Sequence, residues 1–388
     1  MKKLLYLLKS MAMVAGTERV VTDKINWLAE RGYDVSLVTY EQGKHPLVFS
    51  LHPSVKVYNI DAPFFRLGVF SLFRRYYKYL KMKSAFGKSL KTIVEGINPD
   101  IVITTAYSLK VADEIVKVCK HSKLVIESHE TCFSVVKEYD YLSNPFMRIV
   151  AKLYDIQYYR SINRFDRLVT LTEGDANEWR KHISSDIEVI PNPLTYYPIT
   201  LGMKPADCPS RIISAGRLEE VKGFDMLIDA FSLISDKCPE WHIDIFGQGS
   251  CEKDLLKQIA EKRLENRIII HSPTANIYEE YYQSDIFALT SRHEGMGMAL
   301  IEAMSCGISC VAFDCKYGPK EILSNRDTGL LVAEGDIKEF AETLLWLIEH
   351  PDERKRMGVA ARESAKKYRK EYIMQQWVGL FDQLCPKK

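Results

Sequence analysis

No apolar run in this chain approaches the ~18 residues of a membrane span, and the short stretch 4–8 is below signal-peptide length with no small-residue cleavage site behind it. Integral membrane proteins are thereby excluded from the reading, and the expected location is the cytosol. Cysteine is sparse and odd in number, nine in 388 residues, which does not resemble a disulfide framework. Cys306, Cys310 and Cys315 cluster but lack the Cys-x2-Cys spacing of a zinc site, and apolar neighbours such as Val311 and Ala312 predict packed, reduced thiols. Nowhere does Asp-x-Asp occur, the carboxylate pair that commonly holds a divalent ion. A surplus of one charge is missing too: the net charge is +2, and no nucleic-acid motif is present, so nucleic acid is not an expected partner. That balance hides an asymmetry, with 28 Lys+Arg against 21 Asp+Glu in residues 1–200 and 25 against 30 after them.

What is there suits two soluble globular domains: 46% hydrophobic and 27% charged residues. Short β-type runs alternate with helix-length segments, the pattern of parallel sheets covered on both faces. Strands are predicted at 3–8, 34–40, 55–60, 101–104, 124–128, 168–172 and 187–190, forming one sheet. A helix is predicted over 17–31, where Val20, Val21, Ile25, Leu28 and Ala29 recur at helical spacing, Thr17 is the expected N-cap and Gly32 the stop. Around Pro191-Asn192-Pro193 and on through Pro198, Pro205 and Pro209 the pattern lapses into a linker. A second alternation follows, with strands at 211–215, 241–246, 267–271, 286–289, 309–313 and 329–332 and helices at 224–235, 251–263 and 297–304. The fold class is therefore α/β: two Rossmann-like domains, 1–197 and 207–365, with parallel sheets facing a central cleft. Residues 366–388 form a last helix, carrying Trp377, Leu380 and Phe381, expected to pack back toward the first domain.

The stretch Ser291-Arg292-His293-Glu294-Gly295-Met296-Gly297-Met298-Ala299-Leu300-Ile301-Glu302 sits where a buried strand gives way to a helix. Such a junction offers unpaired N–H groups and the positive end of a helix dipole to an anionic phosphate. Glu294 and Glu302 would flank that site and accept hydrogen bonds from vicinal hydroxyls. A nucleotide sugar carries both kinds of group. A solvated glutamate face is the bland alternative, disfavoured because Glu302 lies in an apolar segment. For a glycosidase dyad, eight helical residues would span about 12 Å, more than the ~5–9.5 Å that hydrolysis uses. At a second sheet edge, Gly216-Arg217 and Lys222-Gly223 bring two cations, Arg as a bidentate fork and Lys as a point charge, suited to a diphosphate.

Gly216-Arg217-x4-Lys222-Gly223 followed by Glu294-x7-Glu302 resembles the retaining glycosyltransferases of family four, built on the GT-B fold. Ala15-Gly16-Thr17-Glu18-Arg19-Val20 is similar to the family's Gly-Gly-Thr-Glu-Arg loop, with Ala15 in place of one glycine. The resemblance implies that Arg217 and Lys222 bind the donor diphosphate, helped by backbone at Gly295, Met296, Gly297 and Met298. It further implies that Glu294 holds the transferred sugar, Glu302 the ribose hydroxyls, and Gly16 lies where backbone approaches donor phosphate or acceptor. In Glu127-Ser128-His129-Glu130 it makes His129 the residue contacting the donor sugar and the reacting centre. The expected enzyme is a retaining glycosyltransferase that needs no cofactor and no metal, because Arg217 and Lys222 neutralise the leaving group. Its donor would be a UDP-sugar, less readily a GDP-sugar, and its acceptor lipid-linked or a saccharide. The segment 294–298 and Phe313-Asp314-Cys315-Lys316-Tyr317-Gly318-Pro319-Lys320-Glu321-Ile322 look most like members that build bacterial surface polysaccharide, with galactose, N-acetylgalactosamine or glucose transferred. The alternative is a nucleotide-sugar 2-epimerase on the same fold. A nicotinamide enzyme, suggested by Gly247-Gln248-Gly249, lacks the third fingerprint glycine, where Glu252 stands.

One further stretch carries a surface prediction. From Arg66 to Lys91 there are eight cations, among them Arg66, Arg74, Arg75, Lys78, Lys81 and Lys83, interleaved with aromatics and without a carboxylate. Such a segment suits anionic lipid headgroups, each cation contributing on the order of 1 kcal/mol. The chain is thus expected at the inner face of the cytoplasmic membrane as a peripheral protein. A charged helix with an aromatic core side is the competing account.

Overall fold

The computed structural model describes residues 2–12, 16–69, 71–106, 111–129, 131–132, 156–200 and 209–386. Ala15, Glu130 and Pro205, named above, lie outside them. The chain divides into two compact units, one made of Met1–Pro191 with Met374–Lys388, the other of Asn192–Ile373.

The first unit holds a seven-stranded parallel sheet of β1 (Lys3–Leu8), β2 (Asp34–Thr39), β3 (Lys56–Asn59), β4 (Ile101–Thr105), β5 (Lys123–Glu127), β6 (Arg167–Thr170) and β7 (Ile187–Val189), ordered β3-β2-β1-β4-β5-β6-β7. Strand β1, Lys-Leu-Leu-Tyr-Leu-Leu, is apolar on both faces because helices cover both sides. Its Leu4 to Leu7 lie opposite Val35 to Val38 on one side and Ile101 to Thr104 on the other. The edge strand β3 is largely exposed and correspondingly polar. Between β1 and β4 the strand order reverses, so the loops leaving their carboxyl ends flank the crevice where such sheets bind ligands.

In the second unit six parallel strands, β8 (Ser210–Ala215), β9 (Trp241–Phe246), β10 (Ile268–His271), β11 (Ile286–Leu289), β12 (Ser309–Asp314) and β13 (Leu330–Ala333), run in the order β10-β9-β8-β11-β12-β13. The reversal falls between β8 and β11. Their exit loops are the two that carry Arg217–Lys222 and Glu294–Met298. A continuous core of Ile212, Leu227, Phe231, Ile243, Ile286, Phe313 and Phe340 supports them from below.

Several boundaries shift for local reasons. The helix after β1 is Gly16–Glu30, so Thr17 lies inside its first turn rather than at the N-cap; Gly32, at φ 82°, ends it as expected. Strand β6 stops at Thr170 because Thr172 caps the helix Glu173–Trp179, its hydroxyl accepting from Asp175 N at 3.3 Å. The helix expected over 224–235 ends at Ser232, and a separate 3-10 turn, Ser235–Lys237, follows. In the proline-rich stretch, Leu194 N donates to Tyr368 O at 2.8 Å and Arg362 to Pro198 O at 2.6 Å. These bonds hold it against its own unit in place of secondary structure. The helix Lys370–Leu384 buries Trp377, Leu380 and Phe381.

Candidate donor-phosphate site

Strand β8 delivers the chain to Gly216, whose N–H bonds Phe246 O at 3.0 Å, and the exposed Arg217 follows. A 3-10 turn, Glu220–Lys222, then carries Lys222 to Gly223. Glycine is required there on two counts: φ is +62°, and an added Cβ would sit 2.0 Å from Thr290 O at the end of β11. That close approach places the β8 loop against the β11 loop. Arg292 fastens the two, with a bidentate pair to Asp225 at 2.9 and 2.6 Å and its backbone N–H on Val221 O at 2.8 Å.

The consequence is a direct contact between two of the residues singled out in the sequence. Lys222 Nζ donates to Glu294 Oε1 at 2.6 Å, and Ser291 Oγ donates to the same oxygen at 2.7 Å. Glu294 is only 7% exposed. Its backbone is clamped as well: its N–H bonds Lys316 O, and Tyr317 N–H bonds Glu294 O, both at 2.9 Å. The helix Met298–Ser305 then begins behind Gly297, which has φ 95°. Gly318, whose added Cβ would meet Met296 O at 2.3 Å, brings the next loop alongside. Glu302 lies one turn into the helix, where Tyr281 Oη donates to its Oε2 at 3.5 Å. Burial and the Glu302 charge push the Tyr281 phenol well above its usual range. Only the part from Met298 onward is helical, so the Glu294–Glu302 spacing is not an eight-residue helical rise, and the axial estimate made from it does not apply.

Arg217 makes no ion pair with a carboxylate among the described residues and remains available to an anion, whereas Lys222 would exchange Glu294 for one. Ser291, Arg292, Asp225 and Tyr281 were not picked out from the sequence. Arg292 and Ser291 stand inside the glutamate stretch; Ser291 bonds Glu294 three residues on, within it, but nothing in the stretch marks Asp225, the partner of Arg292 67 residues away. The glycines of 247–249 serve packing: added Cβ atoms would meet Gly216 O at 2.0 Å and Leu218 O at 2.3 Å. Packing accounts for both glycines without a dinucleotide. Cys306, Cys310 and Cys315 are buried free thiols, the first pushed up to about 12 by burial.

In the first unit, Gly16 opens its helix, and an added Cβ there would meet nothing within 4 Å. His129 follows β5, its side chain 3% exposed and its Nε2 3.0 Å from Glu127 Oε2. On the helix Leu72–Ile97 and the turn before it, Phe65, Tyr76, Tyr77 and Leu80 are exposed beside Arg66, Arg74, Arg75 and Lys81, while Phe64, Leu67 and Phe86 are buried. Both accounts of that segment thus hold for different side chains. Lys83 belongs to the packed side, 3.1 Å from Asp113 and 17% exposed, which removes it from the basic surface. No helix among the described residues is long and apolar enough to cross a membrane.

Residues 205–364 match the family model described as glycosyl transferases group 1, and residues 14–195 the model described as Glycosyltransferase Family 4. An uncharacterised glycosyltransferase of Haemophilus influenzae is 26% identical over 98% of this chain and 100% of its own. The amylovoran biosynthesis glycosyltransferase AmsD of Erwinia amylovora is 26% identical over 97% of this chain and 99% of its own. Among solved structures, Anabaena HepE in complex with UDP has the same fold, with a TM-score of 0.73 at 18% identity over 98% of this chain and 100% of that one.

Proposed function

Because this chain belongs to the family 4 glycosyltransferases, with a GT-B fold whose second domain is of the group 1 type, we propose that it is a retaining, metal-independent enzyme of bacterial surface-polysaccharide synthesis. It transfers a hexose or N-acetylhexosamine from a UDP-sugar to a lipid-linked or saccharide acceptor. The observation that carries this reading is the Lys222–Glu294 contact at 2.6 Å beside the helix start at Gly297–Met298. A cation for the diphosphate and a carboxylate for sugar hydroxyls thereby share one sheet edge. The name of AmsD and the UDP in HepE support the choice of pathway and nucleotide.

The reaction breaks the bond between the anomeric carbon and the diphosphate oxygen and forms one to the acceptor oxygen on the same face. Negative charge grows on the departing diphosphate, where Arg217, Lys222 and the N–H groups of 296–298 are aimed to meet it. A donor phosphate oxygen takes the acceptor proton. Glu294 orients the transferred sugar, Glu302 the ribose, and Gly16 and His129 serve the substrate from the first unit. The exposed basic and aromatic side chains of the segment 65–81 rest on anionic lipid, keeping the enzyme where a lipid-linked acceptor resides.

The test is nucleotide release by the purified enzyme from a panel of UDP- and GDP-sugars, with and without EDTA. UDP release that needs an acceptor and is unaffected by chelator is expected. Strict dependence on added metal would overturn the cation argument, and an epimerised donor without acceptor would mark an isomerase instead.

A further inference from the structure

Two deeply buried charges of opposite sign in the first unit have no part in binding the diphosphate. Lys24, on the helix Gly16–Glu30, is 1% exposed, and its Nζ lies 2.5 Å from Glu127 Oε2 at the end of β5. The face of Trp377, from the C-terminal helix, covers the ammonium at 4.2 Å. Glu127 Oε2 is also the atom 3.0 Å from His129 Nε2. Both imidazole nitrogens are buried, and neither meets hydrogen-bond geometry among the described residues, so Nε2 meets Glu127 as a close contact and Nδ1 has no partner. Taking an ammonium and a carboxylate out of water costs several kcal/mol per ion, and a well-packed apolar pair would commonly serve stability as well or better. An ion pair kept at such a place, at the carboxyl edge of the sheet and touching a substrate-facing residue, calls for a role beyond packing.

We propose that Lys24 is a positioning residue for His129: it neutralises Glu127, and Glu127 in turn holds the imidazole with Nε2 toward the carboxylate and Nδ1 free as an unprotonated acceptor for a substrate hydroxyl. This rests on the assignment of His129 above. The charge balance explains the need for a lysine. With Lys24 and Glu127 summing to zero, a neutral imidazole is the least costly state of the buried cluster. Without Lys24, the lone carboxylate 3.0 Å away draws a proton onto the ring, and an imidazolium has no acceptor to offer. Among the described residues, the ionisable groups facing the ring's carboxylate are Lys24 from the helix and Tyr6 from β1, whose phenol burial and the Glu127 charge push well above its usual range. Trp377 adds to the ammonium a desolvated cation–π contact of the stronger kind, so the C-terminal helix takes part in setting the state of the imidazole.

The test uses the full chain with 15N-histidine, His129 being assigned by loss of its signal in His129→Gln. The donor-free wild-type protein gives the reference titration of His129 and shows which ring nitrogen carries the proton, Nε2 being expected. In Lys24→Met its titration midpoint rises by one unit or more, and the acid limb of kcat/KM moves up with it. At pH 7 kcat falls at least tenfold while KM for the donor stays within threefold. Lys24→Met/Glu127→Gln removes both charges and guards against a variant that fails to fold. It should fold, regain the wild-type His129 midpoint and keep kcat at least tenfold down. A folded Lys24→Met with the wild-type midpoint and pH profile, or a double variant with full kcat, overturns the proposal. A shifted midpoint with no sugar transfer from any donor leaves the Lys24–His129 link standing and sinks the transferase role of His129 instead.

Discussion

Lys222 cannot serve Glu294 and a diphosphate equally at one moment, and the competition makes opposite predictions for two substitutions. Lys222→Met removes a charge-assisted hydrogen bond to the phosphate, of about 1.5–3 kcal/mol, so UDP should bind roughly 10–100-fold more weakly. Glu294→Gln keeps the shape of the side chain and an acceptor for Ser291 Oγ, which lies 2.7 Å from Oε1. It also deletes the carboxylate that holds the ammonium at 2.6 Å. Two unit charges 4 Å apart interact by about 4 kcal/mol at an effective dielectric of 20 and by about 1 kcal/mol in water. The two side chains are largely buried, 21% and 8% exposed, so the interaction exceeds the value in water, and releasing Lys222 should tighten UDP binding by roughly fivefold or more. Turnover should move the other way, falling on the order of 100-fold, because the sugar hydroxyls lose their charged acceptor. Isothermal titration with UDP gives the affinities, nucleotide release gives kcat, and circular dichroism checks the fold. Unchanged UDP affinity in a folded Lys222→Met refutes the phosphate role. Weaker UDP binding in a folded Glu294→Gln refutes the competition.

Two further outcomes follow from the geometry. Gly223→Ala places a methyl 2.0 Å from Thr290 O at φ +62°, and should destabilise the second unit by about 2–5 kcal/mol, read as a lower urea midpoint; Gly96→Ala, in a helix with nothing within 4 Å of the new Cβ, should be neutral or slightly stabilising, and equal effects of the two would contradict the close approach. Replacing Arg74, Arg75 and Lys78 together by Ser should weaken sedimentation with phosphatidylglycerol vesicles at least tenfold and leave it weak but unchanged with phosphatidylcholine vesicles, whereas undiminished binding would return the segment to an ordinary solvated face.

Much of the architecture was legible because buried parallel strands are near-continuous apolar runs. Residues 3–8, 241–246 and 286–289 needed no context to be read as strands, and the structure keeps those limits. Strand ends were harder where a residue had two local uses: Thr172 extends a β-branched run by composition, yet its hydroxyl is worth more as a helix cap. At the glutamate stretch, the strand-to-helix switch around Gly295 and Gly297 could be read from periodicity and glycine alone. The rigid clamp of Arg292 on Asp225 could not. Neither could the removal of Lys83 from the basic surface, since its partner Asp113 is 30 residues away on another helix.

By itself the sequence determined two parallel sheets, the loops that leave their carboxyl edges, and the cations and carboxylates those loops carry, because periodicity and turn chemistry act over a few residues. Tertiary structure alone decided which of those groups meet. Lys222 finds Glu294 across 72 residues because strand order reverses between β8 and β11 and Gly223 lets the two exit loops touch. Lys24 finds Glu127 across 103 because the helix Gly16–Glu30 turns a buried face to the sheet and that face reaches the end of β5. Charge and shape fix the strength of such contacts, but only the path of the chain through the sheet brings their partners within reach.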